Sequence, residues 1–260
     1  MIKFGIIGLG LIGGSIFKDL TKLGYNCIGI SRSQIGIANV YHDYSYLKDR
    51  DIVFVCKEMS KTPKVLEEIE PYLSSKTIVT DVCSLKEFVT KRRYAYKFIP
   101  SHPMAGTELC GWANSKEGLF SGAKWVLTPL EKDYTRTILE DIIEQLGAEV
   151  VYASPKEHDE AAALISHMPL VVAQALYQAA RGNKLALKLA SSGFRDMTRL
   201  ALSSIDMADD MVQMNAKNIE ISLLRLYACA GQLLKGGYKE SAESIKTSRS
   251  KMYRDGKNVL

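Results

Sequence analysis

Three glycines near the start of the chain have the spacing of a dinucleotide-binding turn. Gly8, Gly10 and Gly13 directly follow an apolar run at residues 3–7 and open an amphipathic stretch at residues 12–23. In such a turn the first glycine permits the tight bend, the second lets the backbone approach a pyrophosphate, and the third allows close packing of the helix on the strand. The N–H groups at the start of the helix then bind the anion. The alternative is a glycine turn that only packs.

The end of the next apolar run indicates which nicotinamide cofactor is bound. An acidic side chain at this place binds the ribose 2′-hydroxyl of NAD, whereas arginine and small hydroxyl side chains accept the 2′-phosphate of NADP. The sequence here is Ser31-Arg32-Ser33, without an acid. We therefore expect NADP, with NAD as the second possibility, and with Arg32 either binding the phosphate or stacking on the adenine. The candidate cofactor-binding residues are Gly8, Gly10, Leu11, Ile12, Gly13, Ser31, Arg32, Ser33 and Cys56.

Two side chains that could act on a hydroxyl group follow predicted strands. His102 comes after the apolar run at 97–101, and Ser84 comes after the run at 77–81. Because the carboxyl ends of parallel strands face the nucleotide crevice, a histidine there could take a hydroxyl proton while hydride leaves the same carbon. Ser84 could hydrogen-bond the same group. The plainer interpretations are loop packing for His102 and a helix N-cap for Ser84.

A pair of arginines in the second half could hold a carboxylate. Arg195 and Arg199 lie four residues apart after Gly193, so they would share one face of a helix. The alternative is a solvated charged surface, which is the usual place for such residues. His158 and His167 are spaced so that they do not share a helix face well. We therefore expect no metal site.

The hydrophobic pattern of the first half predicts the scaffold for these side chains. Short β-branched runs alternate with amphipathic stretches, which is typical of βαβ units and a mostly parallel, doubly wound sheet. Residues 101–123 break the pattern and indicate an irregular loop that carries function. Strands are predicted at 3–7, 26–30, 52–56, 77–81, 97–101, 124–128 and 149–152, and helices at 12–23, 61–72, 85–94 and 134–146.

The strand signal disappears after the middle of the chain. From Pro155 onward the sequence predicts helices alone, the first of them capped by Ser154. Residues 246–257 are basic and lack apolar periodicity, which predicts a frayed tail. We expect two domains, an α/β domain at 1–153 and an all-helical domain at 154–260.

The composition is that of a soluble globular protein. The 260 residues are 47% hydrophobic and 24% charged, which excludes disorder and a coiled coil. The net charge of +5 comes without a basic stripe interleaved with aromatic residues, so no nucleic-acid partner is expected. Five widely spaced cysteines indicate reduced thiols, and neither a signal peptide nor a stretch long enough to span a bilayer is recognised. We therefore expect a cytoplasmic protein without membrane contact.

Six motifs together resemble the prephenate and arogenate dehydrogenase family of tyrosine biosynthesis, in the family's order and over nearly the whole chain. The resemblance implies a Rossmann domain followed by an all-α domain through which two subunits form a homodimer. The motifs are Gly8-Leu9-Gly10-Leu11-Ile12-Gly13-Gly14-Ser15, Thr80-Asp81-Val82-Cys83-Ser84-Leu85-Lys86, His102-Pro103-Met104-Ala105-Gly106-Thr107, Glu157-His158-Asp159, Ser166-His167-Met168-Pro169 and Ser192-Gly193-Phe194-Arg195-Asp196.

The resemblance also implies roles for individual residues. His102 would be the catalytic histidine that hydrogen-bonds the ring C4 hydroxyl, and Ser84 would assist it and contact the substrate. Thr107 would lie beside the substrate, and Arg195 would bind a substrate carboxylate, in the family sometimes in the neighbouring subunit's site. The implied reaction is the oxidative decarboxylation of prephenate to 4-hydroxyphenylpyruvate, or of arogenate to tyrosine, with hydride transfer to the nicotinamide.

One position departs from the family pattern, and two other functions fit parts of the sequence. Leu170 stands where several prephenate-using members have a second histidine, which is closer to arogenate-using, NADP-dependent members. Another Rossmann-plus-helical reductase, of the β-hydroxyacid dehydrogenase or imine reductase type, would place a catalytic lysine or aspartate in the first helix after the boundary. A non-catalytic NADP-binding sensor would not need His102, Ser84 and Arg195 together.

Overall fold

A six-stranded parallel sheet forms the centre of the first half. The computed structural model describes residues 1–33, 35–107, 109–129, 134–254 and 257–258. The strands follow the order β3-β2-β1-β4-β5-β6, so the chain leaves β1 in one direction and returns to its other side at β4. A cofactor crevice is expected at such a switch point. The strands are β1 Lys3–Ile7, β2 Asn26–Ile30, β3 Val40–Tyr41, β4 Ile52–Val55, β5 Ile78–Asp81 and β6 Lys97–Phe98.

A second, three-stranded sheet continues from the first. It contains β7 Ser101–Pro103, β8 Lys124–Leu127 and β9 Glu149–Tyr152, with β7 antiparallel to β8 and β8 parallel to β9. The prediction of a single strand at 97–101 was wrong, because the chain changes sheets at Pro100. Proline has no N–H to donate to the ladder of the first sheet, and its carbonyl instead accepts from Thr128 N of the second.

Three helices cover the sheet, and one predicted helix is missing. They are α1 Leu11–Lys22, α2 Thr62–Glu68 and α3 Tyr134–Gln145. The predicted helix at 85–94 was wrong, because this segment forms turns. The backbone N–H groups of Lys86 and Glu87 donate to the carboxylate of Asp159, and the Lys86 side chain is fully buried. These long-range contacts replace the bonds that a local helix would make.

The second half is helical, as predicted. Ser154 caps its first helix in a reciprocal capping box with Glu157, which confirms the predicted N-cap. The prediction of a frayed tail at 246–257 was wrong as far as Met252, because residues 246–252 are helical. The basic residues in the last turn of this helix suit its dipole. Residues 255–256 lie outside the described part of the chain. The helices are α4 Pro155–Ala162, α5 Met168–Ala180, α6 Lys184–Leu189, α7 Ser192–Thr198, α8 Ile205–Leu234 and α9 Tyr238–Met252, followed by short strands β10 Tyr253–Arg254 and β11 Lys257–Asn258.

The two halves are joined by apolar packing at the carboxyl edge of the large sheet. Loops that follow β4 and β5 meet α5 and α8, and Ser60 donates from both its backbone N and its hydroxyl to the Asp210 carboxylate. Across the described residues, no helix combines the length and apolar character needed to cross a bilayer. The shared cluster consists of Met59, Cys83, Leu85, Leu170, Ala208 and Met211.

Candidate active site

The glycine turn after β1 is shaped by contacts that exclude side chains. Gly8 has a positive φ of 89°, and a Cβ atom there would lie 2.1 Å from the Cys56 carbonyl oxygen. A Cβ at Gly13 would lie 2.0 Å from the Gly8 carbonyl oxygen. A Cβ at Gly10, by contrast, would meet nothing within 4 Å. The turn therefore needs glycine at 8 and 13 for its own packing, whereas the space around Gly10 is open to a ligand.

Two more predicted cofactor residues begin α1. Leu11 and Ile12 are half-buried at its first turn, where backbone N–H groups have no partner within the helix. Cys56 follows β4, and its backbone N donates to Ile7 O at 2.7 Å. Burial raises the pKa of the Cys56 thiol, so this group stays neutral. These residues line the turn with backbone donors and neutral side chains, an environment that fits an anionic pyrophosphate.

The segment after β2 presents an exposed arginine. Ser31 is buried, and its hydroxyl accepts from Ser33 N at 3.2 Å. The side chains of Arg32 and Ser33 are exposed at the carboxyl end of the strand. His42 contacts the Ser31 carbonyl through Nδ1, and because a carbonyl only accepts, Nδ1 carries the proton. A guanidinium and a hydroxyl thus lie exposed at the edge of the sheet, where a ligand could reach them.

A chain of three side chains connects the two halves of the molecule. His102 on β7 lies with its Nδ1 3.0 Å from Nε2 of His158, and the two rings are nearly perpendicular at 76°. His158 Nδ1 lies 2.7 Å from Oδ1 of Asp159. His158 and Asp159 are adjacent residues of α4, both buried, whereas His102 is half-buried. Of these three side chains, His102 is therefore the one that solvent or a ligand can reach.

The hydrogen bonds of this chain fix the position of each proton. The carboxylate of Asp159 accepts only, so His158 Nδ1 donates to it. When His158 carries one proton, its Nε2 accepts from His102 Nδ1, which leaves His102 Nε2 with a free lone pair. Burial, followed by the charges of His158, Lys86 and His167, lowers the pKa of His102 well below its usual range. His102 is therefore a neutral base at physiological pH.

A buried ion pair lies behind His102. Lys86 Nζ contacts the Asp81 carboxylate and donates to the Ser101 carbonyl at 2.6 Å, and both charged side chains are fully buried. Asp81 also accepts from Cys83 N at 2.9 Å and from Ser101 N at 3.2 Å. The loop after β5 and the start of β7 are thus held together. A buried pair of this kind is costly to break, since one charge would remain without compensation.

Ser84 lies within this fixed loop. It is half-buried between Cys83, whose N donates to Asp81, and Lys86, whose N donates to Asp159 Oδ1 at 2.7 Å. The segments that carry Ser84 and His102 therefore meet at the carboxyl edge of the large sheet, as the sequence predicts. The structure does not bring two other predicted residues into this network.

Thr107 and Arg195 are both exposed. The Thr107 hydroxyl accepts from Leu109 N at 3.2 Å. The Arg195 side chain on α7 is 78% exposed. Its Nε lies 3.3 Å from Oδ1 of the neighbouring Asp196, with which it forms an ion pair. Arg199 begins a separate 3₁₀ turn, so the two arginines do not share one regular helix.

Sequence reasoning missed how His158, Asp159, Asp81 and Lys86 work together. The sequence singles out His158 and Asp159 as part of a family motif, and His158 also as a possible metal ligand, but it assigns neither a role in the reaction. A usable signal was present, since these two polar residues are adjacent in the first turns of a helix that begins at a domain boundary. Their partners are 56 and 73 positions away in the chain, and no local pattern reveals them.

Comparison with known proteins agrees with the motifs. The family model described as "Prephenate dehydrogenase, nucleotide-binding domain" matches residues 30–152, and "Prephenate dehydrogenase, dimerization domain" matches residues 154–234. The prephenate dehydrogenase of Bacillus subtilis (strain 168) is 32% identical over 96% of this chain and 75% of that protein.

Two solved structures are similar over almost their full length. The Synechocystis arogenate dehydrogenase has 33% identity and a TM-score of 0.79, covering 96% of this chain and 97% of that chain. The Aquifex aeolicus prephenate dehydrogenase, in complex with hydroxyphenyl propionate and NAD+, has 25% identity and a TM-score of 0.85, covering 97% and 99%. The resemblance and the predicted fold class are thereby confirmed, and the chain belongs to the prephenate dehydrogenase family.

Proposed function

We propose that this protein is a nicotinamide-dependent dehydrogenase that oxidises arogenate or prephenate and releases the ring carboxylate as CO2. The products are tyrosine and 4-hydroxyphenylpyruvate, respectively. The observation that carries the proposal is the chain from His102 through His158 to Asp159, which ends in a neutral, half-buried base. A sensor that only binds the cofactor has no use for such a base, and the relatives named above support the same chemistry.

The geometry allows His102 to act on the substrate hydroxyl. Its Nε2 can accept the proton of the C4 hydroxyl, and a nicotinamide bound at the glycine turn would supply the acceptor for the hydride from C4. The bond between C1 and the carboxylate then breaks, its electron pair moves through the ring to the C4 oxygen, and CO2 leaves. His102 returns the proton to that oxygen, so no net proton is released. Asp159 stabilises the transient imidazolium through His158.

The first half provides the cofactor site in this proposal. The open space at Gly10 and the first N–H groups of α1 fit a pyrophosphate. Exposed Arg32 and Ser33, with no acid at the end of β2, favour NADP over NAD. We assign residues 1–153 to cofactor binding and residues 154–260 to substrate binding and dimerisation. The candidate set is the one predicted from sequence, Gly8, Gly10, Leu11, Ile12, Gly13, Ser31, Arg32, Ser33 and Cys56.

Substrate contacts are assigned to Ser84, Thr107 and Arg195. The residues that precede Ser84 and His102 both donate backbone hydrogen bonds to Asp81, which supports a role for Ser84 beside His102 at the hydroxyl. The exposure of Arg195 is consistent with a guanidinium that completes the site of a second subunit. A homodimer through the helical half would also cover its exposed apolar side chains, which include Met197, Leu202, Ile205, Leu224, Tyr227 and Leu234.

Arogenate is the better substrate in this proposal. Leu170 is buried in the apolar cluster between the halves, with Met59 and Met211 among its neighbours. The position therefore offers no imidazole to the side chain of prephenate.

A steady-state assay tests the function directly. Purified protein is offered prephenate or arogenate, each with NAD or NADP, and reduced nicotinamide is followed by absorbance. We expect turnover, fastest with arogenate and NADP. Faster turnover of prephenate would overturn the assignment of Leu170, and faster turnover with NAD would overturn that of Arg32. Cofactor binding without turnover of either substrate would favour a sensor or a different reductase.

Mixing two inactive variants tests the dimer and the role of Arg195. Arg195→Ala and His102→Asn are each expected to be inactive, by loss of the carboxylate contact and of the base. If Arg195 acts in the neighbouring site, co-refolded or co-expressed mixed dimers contain one intact site and regain activity. Mixed dimers without activity would place both residues in the same subunit's site. Light scattering on the wild type gives the subunit number independently.

We place the protein in the cytoplasm. All five cysteines are free thiols, and Cys27, Cys56 and Cys83 are shielded to different degrees from solvent. Thiols without disulfides are typical of a reducing compartment. Fractionation of cells that express the tagged protein tests this placement.

A further inference from the structure

Two irregular helical turns face each other beside the histidine chain. Residues Ala163–His167 form a π turn between α4 and α5. Pro169 follows it, and because its ring cannot fit against the carbonyl four residues earlier, the preceding turn widens. Across from it, α8 loses helical geometry at Asn215, with φ −121° and ψ 19°. Such irregular turns are frequent at functional sites.

The side-chain amide of Asn215 connects these two turns. Its Nδ2 lies 3.0 Å from the Asp159 carbonyl oxygen and 3.1 Å from His167 Nδ1, and its Oδ1 accepts from Asn218. A backbone carbonyl only accepts, so the nitrogen of the amide must face Asp159. Its second hydrogen then points at His167 Nδ1. The Asn215 amide thus requires a lone pair on Nδ1 and places the single proton of His167 on Nε2.

His167 depends on this contact for its orientation. The ring is fully buried, and its Nε2 has no hydrogen-bond partner among the described residues. A second proton on the ring would place an N–H against the N–H of Asn215. Burial lowers the pKa of His167 to about 4, against the opposite effect of Asp159. The ring is therefore held neutral by its surroundings, and within the described part of the chain it is Asn215 whose side chain contacts Nδ1.

The charge of His167 matters for His102. The ionisable groups that surround the pair come from three elements, with His158 and Asp159 on α4, Lys86 in the loop after β5, and His102 itself on β7. Of these, Asp159 alone favours a proton on His167. A cation at His167 would oppose the positive charge that His102 gains when it takes the substrate proton. A neutral His167 therefore favours catalysis.

We propose that Asn215 is a positioning residue for the reaction, which keeps His167 neutral and holds Asp159 so that His102 can accept a proton without a second cation beside it. This inference rests on the proposed function. It predicts a specific consequence of removing the amide. Without its donor at Nδ1, His167 becomes protonated at a higher pH, and turnover then falls in the pH range where His167 is charged.

The test is Asn215→Leu, with Gln213→Leu on the exposed side of the same helix as the matched control. Histidine side-chain NMR of the full-length protein reports the titration and tautomer of His167, and steady-state kinetics report kcat against pH. In Asn215→Leu the pKa of His167 should rise by about one unit or more, because a bond to the neutral form is lost. A new acidic limb in kcat should appear at that pH, with turnover near that of the wild type at alkaline pH.

Two results would overturn the inference. One is an unchanged titration of His167 in Asn215→Leu; the other is a kcat lowered by the same factor at every pH, which a purely structural role would produce. Should Asn215→Leu not fold, Asn215→Asp keeps the size of the side chain, and its carboxylate should raise the pKa of His167 further. A wild type that oxidises neither substrate would contradict the proposed function. The NMR titration does not require turnover, so it would still show whether Asn215 keeps His167 neutral.

Discussion

The glycine turn and the histidine chain lie at the same edge of the large sheet but are built in opposite ways. The turn uses residues 8–13, its geometry is a property of the backbone, and a single added Cβ at Gly8 or Gly13 would meet a carbonyl oxygen at about 2 Å. The histidine chain uses side chains from β7, α4 and the loop after β5, at positions far apart in the sequence. The turn requires that Gly8 and Gly13 carry no side chain, whereas the histidine chain requires that side chains from distant positions come together.

The two regions also differ in their electrostatics. The turn offers neutral backbone dipoles to an anion. The histidine chain depends on buried charges, with the carboxylate of Asp159 at one end and the Lys86–Asp81 ion pair behind it. Buried charges are stable only with nearly complete hydrogen bonding, so this region should be far less tolerant of polar substitutions. Cofactor binding and chemistry should therefore be separable by mutation.

His102→Asn should separate them with the largest effect. Loss of the general base is expected to lower kcat by about 10²- to 10⁴-fold, because asparagine cannot accept the hydroxyl proton. The dissociation constant of NADP, measured by fluorescence titration, should stay close to that of the wild type. The asparagine side chain is polar like that of histidine, so the variant should fold. Thermal unfolding is the control that checks its folding.

A variant that retains most of its turnover would remove His102 from the mechanism. If turnover and NADP affinity fall together, the two regions are coupled and the contrast between them is wrong. The ratio of the loss in kcat to the loss in NADP affinity is therefore the quantity that tests the contrast.

Acid should destabilise the histidine region specifically. The pKa of His167 is about 4 in the folded protein, below the ordinary value near 6.5, so the unfolded chain binds more protons between these values. The free energy of unfolding should therefore fall as pH decreases from about 6.5 to about 4, by about 3 kcal/mol from this residue. His102, whose pKa is also lowered, adds to the same trend.

His167→Asn isolates that contribution. Urea unfolding of this variant, followed at several pH values, should show a flatter dependence over the same range, whatever its stability at neutral pH. His42→Asn, which changes an exposed histidine near the cofactor edge, should keep the full dependence. Equal slopes for the wild type and His167→Asn would mean that His167 takes up its proton as easily in the folded protein as in the unfolded one.

The contrast explains what the sequence could and could not predict. The strand β1, the turn and α1 were predicted because each is encoded by neighbouring residues, and the same holds for the Ser154 cap. The helix expected at 85–94 failed because Asp159, distant in the chain, binds the N–H groups of Lys86 and Glu87. Periodicity cannot reveal a competitor that only the folded chain supplies.

The arrangement of the candidate site could also be predicted only in part. His102 and Ser84 could be singled out because each follows an apolar run that predicts a strand, although the structure places His102 within β7. The role of His158 depends on its contact with His102 on β7, and the π turn that contains His167 is in contact with Asn215 on α8. Pro169 was the one local sign of an irregular turn, and a proline within a helical pattern does not specify which irregularity follows.

Two alanine substitutions in the turn should have different consequences. Gly13→Ala forces a Cβ within 2.0 Å of the Gly8 carbonyl oxygen, so it should lower the free energy of unfolding by about 1 to 3 kcal/mol and weaken NADP binding. Gly10→Ala meets no protein atom within 4 Å and should leave stability unchanged. If a pyrophosphate occupies that space, Gly10→Ala nevertheless weakens NADP binding.

The matched pair therefore locates the cofactor without a bound structure. Stability comes from urea unfolding, and affinity from fluorescence titration with NADP. Full NADP affinity in Gly10→Ala would show that the pyrophosphate does not approach this glycine. A stable Gly13→Ala would show that the turn can relax, and its glycines would then not be required by packing.

The smallest effect is expected at the edge of the cofactor site. Arg32→Ala should weaken NADP binding by about tenfold and change NAD binding little, because the guanidinium meets only the 2′-phosphate. Arg93→Ala removes another exposed arginine and should alter neither. The ratio of kcat/KM for the two cofactors is the measurement. If Arg32→Ala weakens NAD and NADP equally, Arg32 stacks on the adenine that both cofactors share, and the preference for NADP must come from Ser31 and Ser33 instead.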